Sequence, residues 1–243
     1  VRAHAAAKEA GIRVIIGAQI DLDDGQSLVA LPRNRAAYGR LSRMISLGRR
    51  RAEKGACELY EQDVIDWGED ILFIILPPEE PGDLDDSFAA ILHRWKDAFG
   101  DRVSLAAAHR YRGDDKTRLA RLAALANITG VSLVATNNVL MHAAERRVLA
   151  DVLTCIREKC TIEAAGRRVL KNAERHLKSA REMAGMLAGY PGAVTRTIEI
   201  IDRISFTLDD LRYEYPDEVS NGQNPQDELE RLVEIGAVKR YPY

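Results

Sequence analysis

ILFIILPPEEPGDLDDSFAAILHRWKDAFGDRVSLAAA, residues 71–108, decides the fold class. It opens on a continuous apolar run, Ile71 to Leu76, stopped by Pro77 and Pro78, then passes through a helical stretch, Asp83 to Phe99, into a second short run, Val103 to Ala107. Strands that carry no polar face must be covered on both sides, as in parallel sheets. The unit then repeats, with a helix over 115–128 and a strand from Val131 to Ala135. Short apolar strands alternating with longer helices predict βαβ units and a mainly parallel sheet or barrel, an α/β fold whose active sites lie at the carboxyl ends of the strands.

Upstream, Gly11 is a plausible helix stop, and the β-branched run Arg13 to Ile20 (RVIIGAQI) predicts a strand. Asp23-Asp24-Gly25-Gln26 makes a turn, Ser27 to Leu31 returns as a second strand in a hairpin, and Asn34 caps a helix whose apolar positions include Tyr38, Leu41 and Ile45. Downstream of Asn138 the strand signal fades. Helices are expected over 143–158, 161–177, Ser179–Leu187 and Ala193–Arg203, followed by an acidic linker over 206–224 and a last amphipathic helix from about Pro225. The opening VRAHAAAKEAG (1–11) reads as the closing turns of a helix, so the chain is expected to begin in mid-domain; the ending RYPY is expected to be a cut.

Apolar residues make up 46% and charged residues 30% of the 243 positions, which suits a soluble globular chain. No apolar run approaches the roughly 20 residues that would span a bilayer. With 35 Lys and Arg against 37 Asp and Glu, the molecule as a whole has no electropositive field for nucleic acid, so any DNA contact is expected to be local. Three cysteines, Cys57, Cys155 and Cys160, with no secretory signal ahead of them, point to a reduced, cytoplasmic chain. Cys155 and Cys160 are expected on different faces of one helix, in packing roles.

Three stretches carry a specific resemblance: ALPRNRAAYGRLSRMISLGRRRAEKG (30–55), VSLAAAHRYRGDDKTRLARLAALA (103–126) and ATNNVLMHAAERRVLADVLTCIREKCTIEAAGRRVLKNAERHLKSAREMA (135–184). They resemble the error-prone, damage-inducible branch of the bacterial C-family DNA polymerases, relatives of the polymerase III α subunit. The likeness continues through LDDLRYEYPDE (208–218). The resemblance implies a PHP domain (polymerase and histidinol phosphatase), a distorted seven-stranded (β/α) barrel that is incomplete here. The partial PHP domain would cover 1–205, with βα repeats to about 140 and an α-rich part thereafter; 206–243 would lead toward an absent palm. That palm, with three aspartates and two magnesium ions, would do the nucleotidyl transfer of the parent polymerase.

By the same resemblance, ligand positions of competent PHP domains fall on residues unable to serve. Gln19 stands where a glutamate is expected, Asn138 and Leu140 stand where Asp-x-His is expected, and ILPPEEPG (75–82) has no counterpart of the Cys or His that follows the central strand. An amide brings no charge to a divalent site and a hydrocarbon coordinates nothing. No metal site and no cofactor are therefore expected in this segment, with His109 and His142 as the remaining candidates for an ion contact. For DNA or phosphate contact the candidates are Arg49, Arg50 and Arg51, in the basic cluster between Gly48 and Gly55, and Arg110 and Arg112. Lys116 and Arg118 extend that second cluster, beside Asp114 and Asp115, and a charged helix face with local pairs is the competing reading. The expected role is a structural platform within a translesion polymerase, partnered by the rest of that chain and reaching DNA through it. The alternatives are a free-standing metal-dependent PHP phosphoesterase and an interaction module for damage-response proteins.

Overall fold

The computed structural model describes residues 2–23, 26–211 and 224–241. In chain order these form α1 (Arg2–Glu9), β1 (Ala18–Asp21), β2 (Ser27–Pro32), α2 (Arg35–Arg51), α3 (Glu61–Trp67), β3 (Ile71–Leu76), α4 (Asp86–Phe99), β4 (Val103–Ala107), α5 (Asp115–Thr129), β5 (Ser132–Ala135), α6 (Arg147–Arg157), α7 (Ala180–Met186), α8 (Pro191–Asp202) and α9 (Pro225–Arg240). The chain divides into two compact units, Val1–Leu208 and Asp209–Tyr243. In the second, Asn224 caps α9 by accepting from the Gln226 N–H at 2.9 Å, and Pro225 opens the helix as expected. The Asp24-Gly25 part of the expected hairpin turn and positions 212–223 of the expected linker lie outside the described residues.

The five strands form one open sheet in the order β1-β2-β3-β4-β5. β1, β2 and β3 pair antiparallel, whereas β3, β4 and β5 pair parallel, so the sheet is mixed where a mainly parallel one was expected. The βαβ units end at β3. Ahead of it the chain passes through α2 and α3, and side-chain periodicity does not encode the direction in which a strand is laid. The expected strand over 13–20 contracts to Ala18–Asp21, because only these residues find ladder partners, Ala30 to Ser27 on β2. Gly11 does end α1: it adopts φ +66°, and the Ile12 N–H reaches back to the Ala7 carbonyl at 2.8 Å.

Both faces of β3 are buried, which is why its sequence carries no polar alternation. Ile71, Phe73 and Ile75 face a core completed by Phe88, Leu92, Trp95 and Phe99 of α4. These four recur at helical spacing, and the Phe73 and Phe99 rings lie 4.7 Å apart. Leu72 faces the other way, toward Val134, Ile200, Ile204 and Phe206, where Phe206 stacks on Tyr38 at 4.6 Å. Burying one such aromatic or Leu side chain stabilises by about 1.5–3 kcal/mol. Gly48, near the carboxyl end of α2, is buried under the crossing segment 57–59, and a Cβ there would come within 2.9 Å of Leu59 and Cys57.

The amino end of the parallel strands is held by Arg196 of α8. It is 7% exposed and donates to the Ser104 hydroxyl (3.1 Å), to Glu199 (2.9 Å) and to the backbone and side chain of Asp101 (2.7 and 3.1 Å).

The helix expected over 161–177 is absent. Apart from a single 3-10 turn at Gly166–Arg168, this stretch is irregular, and its polar groups are spent elsewhere. Asn172 donates to the carbonyls of Arg110 (2.8 Å) and Tyr111, Arg175 donates to that of Asn138 (2.7 Å), and the Leu140 N–H donates back to Arg175 (2.8 Å). Tertiary hydrogen bonds have overridden local helix propensity. The result is a strap, 166–178, laid across the carboxyl ends of β4 and β5.

Candidate functional site: a basic mouth at the strand ends

The loops that leave β3, β4 and β5 meet at one mouth, the place where open α/β sheets bind ligands. Two adjoining cavities lie there. One of about 280 Å³ is lined by Gln19, Gln26, Glu79, Arg110, Arg118 and Asn138. The other, about 170 Å³, is lined by Glu79, His109, Arg110, Arg112, Lys171 and Arg175 among others. Glu79, Arg110 and Asn138 border both.

Asp115, 5% exposed in the first turn of α5, builds the β4 loop by accepting the backbone N–H groups of Arg110 and of Arg112 (2.8 Å). Burial pushes its carboxyl up, but these donors override burial and hold it below the ordinary carboxylate range. With the backbone folded so, the Arg110 and Arg112 guanidiniums converge on one oxygen of Glu79, at 2.6 and 2.8 Å. Burial likewise pushes the Glu79 carboxyl up, and the charges of Arg110, Arg112 and Arg118 bring it below its ordinary value. Arg118 points inward at 3% exposure, donating to the Glu79 carbonyl (3.1 Å) and the Pro78 carbonyl, while its Nε has no hydrogen-bond partner among the described residues. It is therefore no part of a solvated helix face, although Lys116 is exposed as that reading expects.

His109 lines the smaller cavity. Its Nδ1 is buried without a hydrogen-bond partner among the described residues, 3.9 Å from Asp115, and its ring meets Tyr111 edge-on at 4.4 Å. Gln19 faces the larger cavity from β1, its amide donating to Asp21 at 3.0 Å. Asn138 adopts φ +42°, and Tyr111 φ +51°, in the two loops that frame the mouth.

No family model matches the chain. Along its whole length, however, it aligns with an error-prone DNA polymerase of Caulobacter vibrioides at 47% identity over 244 residues. It is a homologue of a segment of error-prone DNA polymerases. The error-prone DNA polymerase 1 of Agrobacterium fabrum is 43% identical over 243 residues, and the error-prone DNA polymerase of Ruegeria pomeroyi is 46% identical over 231. These alignments take in 100, 99 and 95% of this chain but 22, 22 and 21% of those polymerases, so the chain spans about a fifth of the curated relatives it matches.

In this polymerase homologue the sequence candidates separate. Gln19, Asn138, His109, Arg110 and Arg112 come together at the mouth. Leu140 lines neither cavity and is 56% exposed, and His142 is exposed on the same loop. Arg49 and Arg50 are exposed in the last turn of α2, away from both cavities. Arg51 is engaged within the chain by a two-pronged contact with Asp63, whose carboxyl that bond holds below its ordinary value. Cys155 and Cys160 do not diverge as expected. α6 ends at Arg157, Lys159 turns at φ +51°, and the Cys160 N–H returns to the Cys155 carbonyl at 3.0 Å. Burial, and then the Cys160 thiol, push the Cys155 thiol up.

Glu79 and Arg175 escaped the reading of the sequence. Glu79 had a signal, since it follows the Pro77-Pro78 stop of a parallel strand. Arg175 had none, because its stretch reads as a helix.

Proposed function

We propose that this chain is the PHP-type part of an error-prone translesion DNA polymerase, in which the metal site has decayed and the α/β unit serves as a structural platform for the rest of the polymerase. The observation that carries this reading is end-to-end similarity, at 47% identity, to a polymerase of which the chain spans 22%. The donor set at the mouth supports it. Gln19 and Asn138 offer amides where a divalent cluster needs carboxylates and imidazoles, and the neighbouring guanidiniums repel a cation. Among the described residues no three His, Cys, Asp or Glu side chains are gathered as a metal ion requires. A platform also needs a surface for the remainder of the chain, and α6 presents Val148, Leu149, Val152, Leu153 and Ile156 to solvent along one stripe.

Under this reading the partner is the remainder of the polymerase, DNA and magnesium are engaged through the palm, and damage-response proteins join the complete enzyme in the cytoplasm. No helix among the described residues is long and apolar enough to cross a membrane. The test is direct. The purified chain, given primer-template and magnesium, is expected to extend nothing, and dialysis against manganese or zinc is expected to leave it without stoichiometric metal. Primer extension, or phosphomonoester turnover abolished by His142→Ala, overturns the reading in favour of an enzyme.

A further inference from the structure

We propose that the mouth at the carboxyl ends of β3, β4 and β5 is an anion site that binds a phosphate-class oxyanion directly through guanidinium groups, with no metal between. The inference goes beyond the platform reading and does not rest on it.

Charge balance motivates it. Arg110, Arg112 and Arg118 crowd around Glu79, and Arg175 approaches from the strap. The other carboxylate that borders the cavities, Glu174, is engaged by Lys178 at 2.8 Å. Glu79, with Asp114 close to Arg118, thus faces four arginines. Burial, and then repulsion from Arg110, lower the proton affinity of both Arg118 and Arg175, while Glu79 raises it.

Unused hydrogen-bonding capacity points the same way. Arg118 is 3% exposed, yet among the described residues its Nε has no hydrogen-bond partner, and neither has the buried Nδ1 of His109. Among the described residues the Arg175 guanidinium is engaged through Nε alone, by the Asn138 carbonyl. Arg167 and Lys171 border the smaller cavity without any side-chain hydrogen bond or ion pair among the described residues. A guanidinium presents parallel N–H donors that match the edge of a phosphate, and several of them around one concavity discriminate a phosphate from a lone carboxylate. The framing loops hold Tyr111 and Asn138 in the left-handed region, a conformation disfavoured for Tyr that concentrates at binding sites. The oxyanion can come from free pyrophosphate or from a phosphate of a nucleic-acid strand.

Isothermal titration of the 243-residue chain in EDTA separates these sources, with sodium pyrophosphate in one arm and a short 5′-phosphorylated DNA strand in the other. Binding is expected in at least one arm, and the tighter arm names the source. Arg175→Gln is expected to weaken it about tenfold, the loss of a charge-assisted contact. Glu79→Gln is expected to strengthen it about threefold or more by removing the internal competitor. Lys116→Gln, on the exposed side of α5, is expected to change nothing. Should Arg175→Gln fail to fold by circular dichroism, Lys171→Gln replaces it, with a severalfold loss expected. No heat in either arm, binding indifferent to the Arg175 and Lys171 variants, or weaker binding in Glu79→Gln overturns the proposal. A platform with no anion affinity and an anion-binding chain that proves to be an enzyme are distinct outcomes, so the two readings fail separately.

Discussion

Two buried arginines sit at opposite ends of the same parallel strands and have opposite surroundings. Arg196, at the amino end, has each of its three guanidinium nitrogens engaged by Ser104, Glu199 or Asp101. Arg118, at the carboxyl end, is more deeply buried but hydrogen-bonds two backbone carbonyls and no carboxylate among the described residues, with Glu79 and Asp114 acting on it only through space beside other arginines. Burial of a charge is stabilising only where its partners replace water completely. By that measure the amino end is built to hold the fold, and the carboxyl end is left with capacity to hold something else. A buried, incompletely partnered cation is the kind of local inconsistency that proteins retain at functional sites.

Four substitutions test the difference between the two strand ends. Arg196→Met is expected to cost about 2–3 kcal/mol, since it abandons the buried Ser104 hydroxyl and the Asp101 carbonyl together, read from the urea midpoint at constant m-value. Asp115→Asn is expected to cost about 1–2 kcal/mol, because an amide accepts the Arg110 and Arg112 N–H groups less strongly than a carboxylate. This second effect depends on pH with a definite sign. The folded-state Asp115 carboxyl lies below its unfolded value, so its contribution is full above about pH 4 and is lost as pH falls through the folded value. Wild type and Asp115→Asn are therefore expected to converge in stability in acid; a gap that persists at the lowest pH would remove Asp115 as the organiser of the mouth.

Arg118→Met is expected to cost less than about 1 kcal/mol, since an apolar side chain of similar length relieves the charge crowding and leaves two carbonyls that cavity water can reach. A loss as large as that of Arg196→Met would erase the distinction between the two ends. Smallest of the four, Glu79→Gln is expected to change stability by no more than about 0.5 kcal/mol in moderate salt, because its side chain is 59% exposed and screened. A larger loss would make Glu79 a fold-holding counter-ion rather than a place-holder for a ligand.

How much was legible follows from the range of each interaction. The Ile71–Leu76 run, the Asn34 cap and the Phe88, Leu92, Trp95, Phe99 spacing are local patterns, and each appears where it was read, whereas the hairpin forms with a first strand shortened to Ala18–Asp21. The site was half legible. Arg110, Arg112 and His109 follow a strand and were named, whereas the inward turn of Arg118 and the arrival of Arg175 depend on chain segments about 40 to 60 residues apart. The same limit explains Cys155 and Cys160, whose separation assumed a helix that in fact stops at Arg157.

Alone, the order of residues determined the strands β2 to β5 and the helices α2, α4, α5 and α8, because apolar period, caps and breakers act within a few positions along the backbone. It also carried the likeness to error-prone polymerases, which needs only the order of residues. Tertiary structure alone decided the antiparallel pairing of β2 with β3, the irregular strap over 166–178, and the crowding of four arginines around Glu79. Hydrogen bonds and charges act through space, and what they join is set by where the folded chain brings distant residues.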